Sequence, residues 1–174
     1  MLVLSTARLT IRPFVEGDAL AMAEVLGDAE VMRFSDSGPL NPVQVSDWLG
    51  EQVRAYSLSP DFGRWAIYKT ESERAIGYIG LTQDEGRTAE REAELGFRLA
   101  RRGWGKGYAT EAAQAVVEAV FRAGRVDRLI GIVDPHNGAS VRVLQKLGMS
   151  YARPITFEGY DYPDHLYVLD RPGL

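Results

Sequence analysis

The chain has 174 residues, of which 45% are apolar and 25% charged; this ordinary globular usage excludes a disordered or collagen-like chain and suits one domain over residues 1–174. Twenty Lys and Arg against twenty-four Asp and Glu give a formal net charge of −4, so nothing favours nucleic acid or an anionic membrane as a partner. Cysteine is absent, which removes disulfides, thiolate metal sites and a cysteine nucleophile together.

In chain order, Leu9 to Phe14 alternates like a short strand stopping near Pro13. Glu16-Gly17-Asp18 opens a helical run with Leu20, Ala23 and Leu26 on one face, ending near Gly27. Pro39 and Pro42 bound a loop, after which Val45, Trp48, Leu49 and Val53 recur at helical spacing until Pro60. Arg64–Lys69 and Ala75–Thr82 read as strands joined by a hairpin turn over Thr70–Arg74. From Arg91 to Leu99 the alternation is strict: Ala93, Leu95, Phe97 and Leu99 face one way, Glu92, Glu94, Gly96 and Arg98 the other.

Ala109, Ala112, Ala113, Val116, Val117, Val120 and Phe121 follow the i, i+3, i+4, i+7 pattern of a long helix that Gly124 is placed to end. Arg128–Val133 is a short strand. Val141, Leu144 and Leu147 mark a helix closed by Gly148, and Tyr151–Phe157 and Leu166–Leu169 are the last strands. The order β-α-α-β-β-β-α-β-α-β-β predicts an α/β (α+β) fold: a mixed, mostly antiparallel sheet of about seven strands with helices on both faces. The start lacks a basic segment followed by a long apolar one, and no window approaches about 18 uninterrupted apolar residues, so a soluble cytoplasmic protein is expected, monomer or homodimer, without nucleic-acid or membrane partners.

Arg101-Arg102-Gly103-Trp104-Gly105-Lys106-Gly107-Tyr108-Ala109-Thr110 joins a strand to the long helix. Glycines admit a ligand close to the backbone, and first-turn amides with the helix dipole make a natural phosphate site, to which Arg101, Arg102 and Lys106 add charge. The bland alternative is a tight turn that binds nothing. Two nucleotide motifs fail: Gly107 stands where a P-loop needs Ser or Thr, and Tyr108 where the dinucleotide fingerprint needs glycine. His136 and His165 are joined by no metal-ligand spacing, so no metal is expected. Trp48 and Trp65 read as core residues, and Lys146 as part of a solvated helix face.

Trp104-Gly105-Lys106-Gly107-Tyr108-Ala109 resembles the pyrophosphate signature of the GNAT acetyltransferases, usually Gln/Arg-x-x-Gly-x-Gly/Ala; Gly107 and Ala109 match and Trp104 replaces the Gln or Arg. The opening Thr6 to Pro13 with Asp18, the stretch Glu94-Leu95-Gly96-Phe97 and the run Asn137 to Met149 resemble, in the right order, the branch of ribosomal-protein N-terminal (Rim-type) acetyltransferases. The resemblance implies that acetyl-CoA lies where the fourth and fifth strands, Arg91–Leu99 and Arg128–Val133, splay apart. It implies backbone pairing of Phe97, Arg98 and Leu99 with the pantetheine arm. Cofactor contacts would extend over Arg102, Trp104, Gly105, Lys106, Gly107, Tyr108, Ala109 and Thr110, with Asn137 positioning cofactor. Direct attack by a primary amine, from a protein N-terminus or a small molecule, would transfer the acetyl group.

How much acid–base help this needs depends on the amine. An α-amino group of pKa about 7.7–8.0 is short of deprotonation at pH 7 by less than about 1.4 kcal/mol, a lysine-like amine by roughly 4.6 kcal/mol. Glu94 is the candidate base, the alternative being a strand glutamate in solvent or paired with Arg98 on the same face. Many GNAT enzymes carry a tyrosine where Leu144 stands; the resemblance to the branch with Asn-x-x-Ser, which brings the serine near the CoA sulfur instead, makes Ser140 the candidate acid, the alternative being that Ser140 and Asn137 only cap a helix. The other reading of the same residues is an inactive GNAT-fold acyl-CoA-binding or sensing module, with a nucleotide-binding module behind it. The expected acceptor walls are the loops over 28–42 and 158–165, the second carrying Glu158, Asp161 and Asp164 with Tyr160 and Tyr162, residues suited to a cationic amine.

Overall fold

The computed structural model describes residues 2–59, 61–72, 74–83, 88–159 and 161–173; Met1, Pro60, Glu73 of the expected hairpin turn and Tyr160 of the expected acceptor loop lie outside them. The elements are β1 (Leu4–Ser5), β2 (Leu9–Arg12), α1 (Ala19–Leu26), α2 (Pro42–Leu58), β3 (Gly63–Lys69) and β4 (Ala75–Thr82). They continue with β5 (Glu92–Leu99), α3 (Tyr108–Arg122), β6 (Arg128–Val133), α4 (Gly138–Lys146), β7 (Ser150–Ile155) and β8 (Asp164–Asp170). Single turns of 3-10 helix at Glu16–Asp18 and Arg101–Gly103 precede α1 and the glycine loop.

Eight strands form one sheet in the order β1-β2-β3-β4-β5-β6-β8-β7. Every neighbouring pair is antiparallel except β5–β6, which is parallel. The eighth strand, absent from the expected seven, is β1: it is two residues long and pairs with the end of β2, too short for any periodicity to betray. The other expected strands appear with small shifts at their ends. The central one begins at Glu92 rather than Arg91, because Arg91 takes a left-handed φ of 59° and its guanidinium binds Asp127 at 2.5 and 2.8 Å.

The period-2 pattern divides two cores. Trp65, Ile67, Ile79, Leu81, Ala93 and Leu95 face α3 and α4, while Ala66, Tyr68, Ala75 and Tyr78 face α1 and α2. In α3, Ala112, Ala113, Val116, Val117 and Val120 are buried; each fully buried valine contributes roughly 1.5–3 kcal/mol, and the alanines let the helix lie close to the sheet. Asn41 starts α2: its Oδ1 accepts from the amides of Val43 and Gln44 at 3.0 Å, and Gln44 returns a bond to the Asn41 amide at 2.9 Å.

Two helical faces differ from expectation. In α1, Leu20 is 79% exposed and the buried stripe is Ala21, Met22, Val25 and Leu26; that set is more apolar than Leu20/Ala23/Leu26 at an equally helical spacing. In α2, Val53 is exposed and its neighbour Gln52 is 7% exposed. The Gln52 amide is satisfied by donating to the Trp48 carbonyl at 3.2 Å, which makes its burial tolerable.

Candidate active site

The parallel β5–β6 ladder is only three pairs long: Glu92 with Arg128, Ala93 with Leu129, Glu94 with Ile130. Beyond Glu94, β5 continues against β4 alone, so the sheet divides there. The Ala100 amide donates to the Ile76 carbonyl on β4 at 2.9 Å. Because backbone groups alternate along a strand, those of Phe97 and Leu99 then point away from β4, to the divided edge. A groove of about 1030 Å³ opens at this split and runs across both faces of the sheet.

One side of the groove is the glycine loop. Gly105 and Gly107 have φ of 70° and 79°, a conformation that costs an ordinary residue about 1 kcal/mol or more. Gly107 is the N-cap of α3 and supplies no side-chain cap, so the opening amides of a 15-residue helix keep their dipole and donors for a ligand. The exposed Trp104 turns its indole N–H onto the Leu99 carbonyl at 2.7 Å. It thereby ties the loop to the divided edge of β5.

The loop is held from behind by the start of the chain. Arg8 donates to the Lys106 carbonyl at 3.0 Å, pairs with Glu111 at 2.6 Å and lies 4.8 Å from the centre of the Tyr108 ring. Thr6 Oγ1 also donates to Glu111, at 2.6 Å. Burial acts to raise the pKa of Glu111, but the bonds from Thr6 and Arg8 outweigh it and hold the carboxyl below its ordinary range.

Of the residues singled out in the sequence, Glu94, Phe97, Arg98, Leu99, Trp104, Gly105, Gly107, Tyr108, Ala109, Thr110, Asn137 and Ser140 all line this groove. Arg102 and Lys106 do not. The Arg102 guanidinium donates to the Ala75 carbonyl at 2.6 Å and pairs with Glu24 at 3.2 Å, and Lys106 Nζ donates to the Arg102 carbonyl at 2.9 Å. Arg101 is taken by Asp28 at 2.8 Å. The three cations of the loop are therefore engaged in the scaffold. The basic groups that line the groove near the α4 turn are Arg142 and Lys146, one helical turn apart.

Asn137 caps α4, its Oδ1 accepting from the Ser140 amide at 3.2 Å. Ser140 is half-buried in the first turn. Leu144, 2% exposed, packs its methyl groups on Gly131, where an added β-carbon would come within 3.0 Å of them. At the end of β6, Asp134 accepts from the Tyr162 hydroxyl at 2.8 Å and sits 3.0 Å from His136 Nδ1. Burial works to raise its pKa; the His136 amide, Tyr162 and the His136 ring together keep it low. Tyr162 thus anchors the loop after β7 to the groove, while among the described residues no group of His, Asp and Glu has the makings of a metal site.

The far side of the groove is formed by Met32 and Phe34 of the α1–α2 connection, Trp48 of α2, Arg64 of β3 and Tyr78 of β4. Met32 and Phe34 fall in the 28–42 loop expected as an acceptor wall; Trp48, Arg64 and Tyr78 were not singled out as functional in the sequence, because they lie on separate elements that only the folded sheet brings to Glu94. Arg98 does not lean on Glu94 but donates to Met32 Sδ at 3.0 Å. Trp48 packs against Phe14 and Tyr78 at 5.4 and 5.2 Å, so it is both a core residue and a groove wall.

Comparison with known proteins places this architecture. The uncharacterised N-acetyltransferase p20 of Bacillus licheniformis is 31% identical over 150 residues, covering 84% of this chain and 82% of that protein. A GNAT-family acetyltransferase structure from Bacillus anthracis superposes with a TM-score of 0.85 at 24% identity, over 98% of this chain and 99% of that one. The ribosomal L7/L12 alpha-N-protein acetyltransferase RimL, solved with coenzyme A, shares the fold with a TM-score of 0.81 at 15% identity, over 97% and 98% of the two chains. No helix among the described residues is long and apolar enough to cross a membrane. The acetyltransferase (GNAT) domain family matches residues 8–150, and the chain belongs to that family.

Proposed function

We propose that the groove binds acetyl-CoA as cosubstrate, without a metal, and that the protein moves the acetyl group to a primary amine by direct attack in a ternary complex. The observation that carries this reading is the division of β5 from β6 at Glu94 beside a helix N-terminus capped only by Gly107. Amides from Gly105 to Thr110 receive the pyrophosphate, and the outward backbone groups of Phe97 and Leu99 receive the pantetheine amides as an added strand would. The Leu99 carbonyl already accepts from Trp104, which leaves its N–H and both groups of Phe97 for that pairing.

Glu94 stands at the apex of the split and takes the proton from the attacking nitrogen, directly or through one water. As the new C–N bond forms and the C–S bond breaks, the Ser140 hydroxyl gives its proton to the departing thiolate. A thiolate of cysteine-like pKa, about 8.5, takes up a proton at pH 7 in any case, so Ser140 speeds departure rather than deciding the equilibrium. Incubation with acetyl-CoA and a panel of N-terminal peptides, polyamines, amino acids and aminoglycosides tests the reading. Thiol release together with gain of one acetyl group by an amine supports it. Acetyl-CoA binding without thiol release from any amine would establish instead an acyl-CoA-binding or sensing module, the reading that the packed Leu144 favours.

A further inference from the structure

The groove floor on the α1–α2 face is one register row of the sheet. Arg64 on β3 lies opposite Gly80 on β4, and Gly80 lies opposite Gly96 on β5. A β-carbon on Gly80 would meet Arg64 Cγ at 2.7 Å, so the arginine stem occupies the space that a side chain there would fill. A β-carbon on Gly96 would meet nothing within 4 Å: the floor beyond is open. Glu94 and Arg98 flank Gly96 on the same face, each roughly 7 Å from it along the strand and so about 13 Å from one another at the backbone.

Among the described residues the two arginines of this chamber are half-buried without an Asp or Glu partner, whereas Arg54, Arg122, Arg142 and Arg153, which also pair with none, are exposed. Ten others pair with an Asp or Glu. Among the described residues Arg64 has only a 3.4 Å contact to Gln52 Oε1 and Arg98 only the Met32 sulfur. A guanidinium withdrawn from water gains most from a carboxylate, which it grips with two parallel hydrogen bonds. The acids that line the same groove lie at other stations: Glu94 at the split, Asp134 tied to Tyr162 and His136, Glu30 paired with Arg33, Asp36 on the α1–α2 connection and Asp164 at the start of β8.

We infer that the acceptor is a small amino carboxylate, its carboxylate held by Arg64 and Arg98 and its amine directed to Glu94, with an apolar side chain against Trp48 and Tyr78. This rests on the acetyl-transfer reading and narrows it. The attraction of cationic amines expected from the acidic loop then concerns the ammonium end of a zwitterion, whose other end the arginines hold.

The test compares L-phenylalanine, L-methionine and L-leucine with their carboxamides under saturating acetyl-CoA, following thiol release. The amide amines deprotonate more readily, so intrinsic reactivity favours them. The inference expects the free acids to win in kcat/KM by about tenfold or more. Arg64→Met, which keeps the stem over Gly80, should raise KM for the acids and bring the acid-to-amide ratio near one, with Arg64→Lys between. Amides used as well as the acids by the parental enzyme, or a ratio that survives Arg64→Met, would overturn the inference. If no amine releases thiol, the transferase reading falls by itself. Calorimetry of N-acetylphenylalanine and its amide on the CoA-loaded protein then decides the anion site: tighter binding of the acid upholds it, equal binding overturns it.

Discussion

At the glycine loop and the open edge of β5 the groups offered to the cavity are main-chain amides and carbonyls, whereas on the α1–α2 side they are side chains drawn from four elements. The first half asks for permissive backbone and little else: glycines at positive φ, a helix start without a side-chain cap, a strand edge left open. The second asks for particular side chains at positions as far apart as Met32 and Arg98. A main-chain site can accept one shared cosubstrate across a family while the side-chain site changes its acceptor. The contrast predicts that substitutions in the two halves separate into effects on cofactor affinity and effects on turnover.

The largest effect on cofactor affinity is expected at the helix start. In Gly107→Asp the carboxylate would take the α3 amides for itself and set negative charge beside the pyrophosphate; acetyl-CoA affinity should fall by about 100-fold, measured by calorimetry on a folded variant. Unchanged affinity would mean that the cofactor is held elsewhere. Glu94→Gln should lower kcat by about 100-fold or more with acetyl-CoA affinity little altered. Its pH optimum should move upward, because the amine must lose its proton unaided. Ser140→Ala should cost turnover about tenfold, and a thiol of lower pKa in an acetyl-CoA analogue should recover part of the loss. If both variants keep parental turnover, positioning and water carry the chemistry.

The smallest effect lies behind the loop, in Glu111→Gln. The Glu111 carboxyl has its pKa lowered in the folded protein. Its stabilising contribution is therefore complete above the unfolded value, about 4.3, and is lost as pH falls through the lower folded value. Melting of the variant should lie a few degrees below the parent at pH 7, and the gap should close as pH drops below about 4. A gap that persists in acid would mean that packing, not charge, holds the Thr6–Arg8 segment to α3.

The same contrast explains what the sequence makes legible. The cofactor half can be read as an uninterrupted string from Gly103 to Thr110 because a helix N-terminus and its glycines are local by nature. The strict alternation of Glu92 to Leu99 places Glu94 on the groove face for the same reason. Arg64, Gly80 and Gly96 form a row only after two hairpins set their register, and no window of sequence contains all three. The charge expected from Arg101, Arg102 and Lys106 was readable as composition but not as direction: each turns to a scaffold partner. The stripe of α1 is misread because Leu20 and Leu26 also sit at helical spacing, and only the sheet decides which face is covered.

The three tryptophans divide the molecule for optical work. Trp65 is wholly buried, and its indole nitrogen has no partner among the described residues; its emission is expected to be a constant, blue background. Trp104, 44% exposed, is anchored to Leu99 at the glycine loop, and Trp48 stands beside Tyr78 in the proposed acceptor chamber. With Trp104→Phe, a fluorescence change on adding acceptor belongs to Trp48; with Trp48→Phe, a change on adding acetyl-CoA belongs to Trp104. Under the proposed function the protein carries a separate intrinsic reporter for each substrate, and the order in which the two bind can be followed without a label.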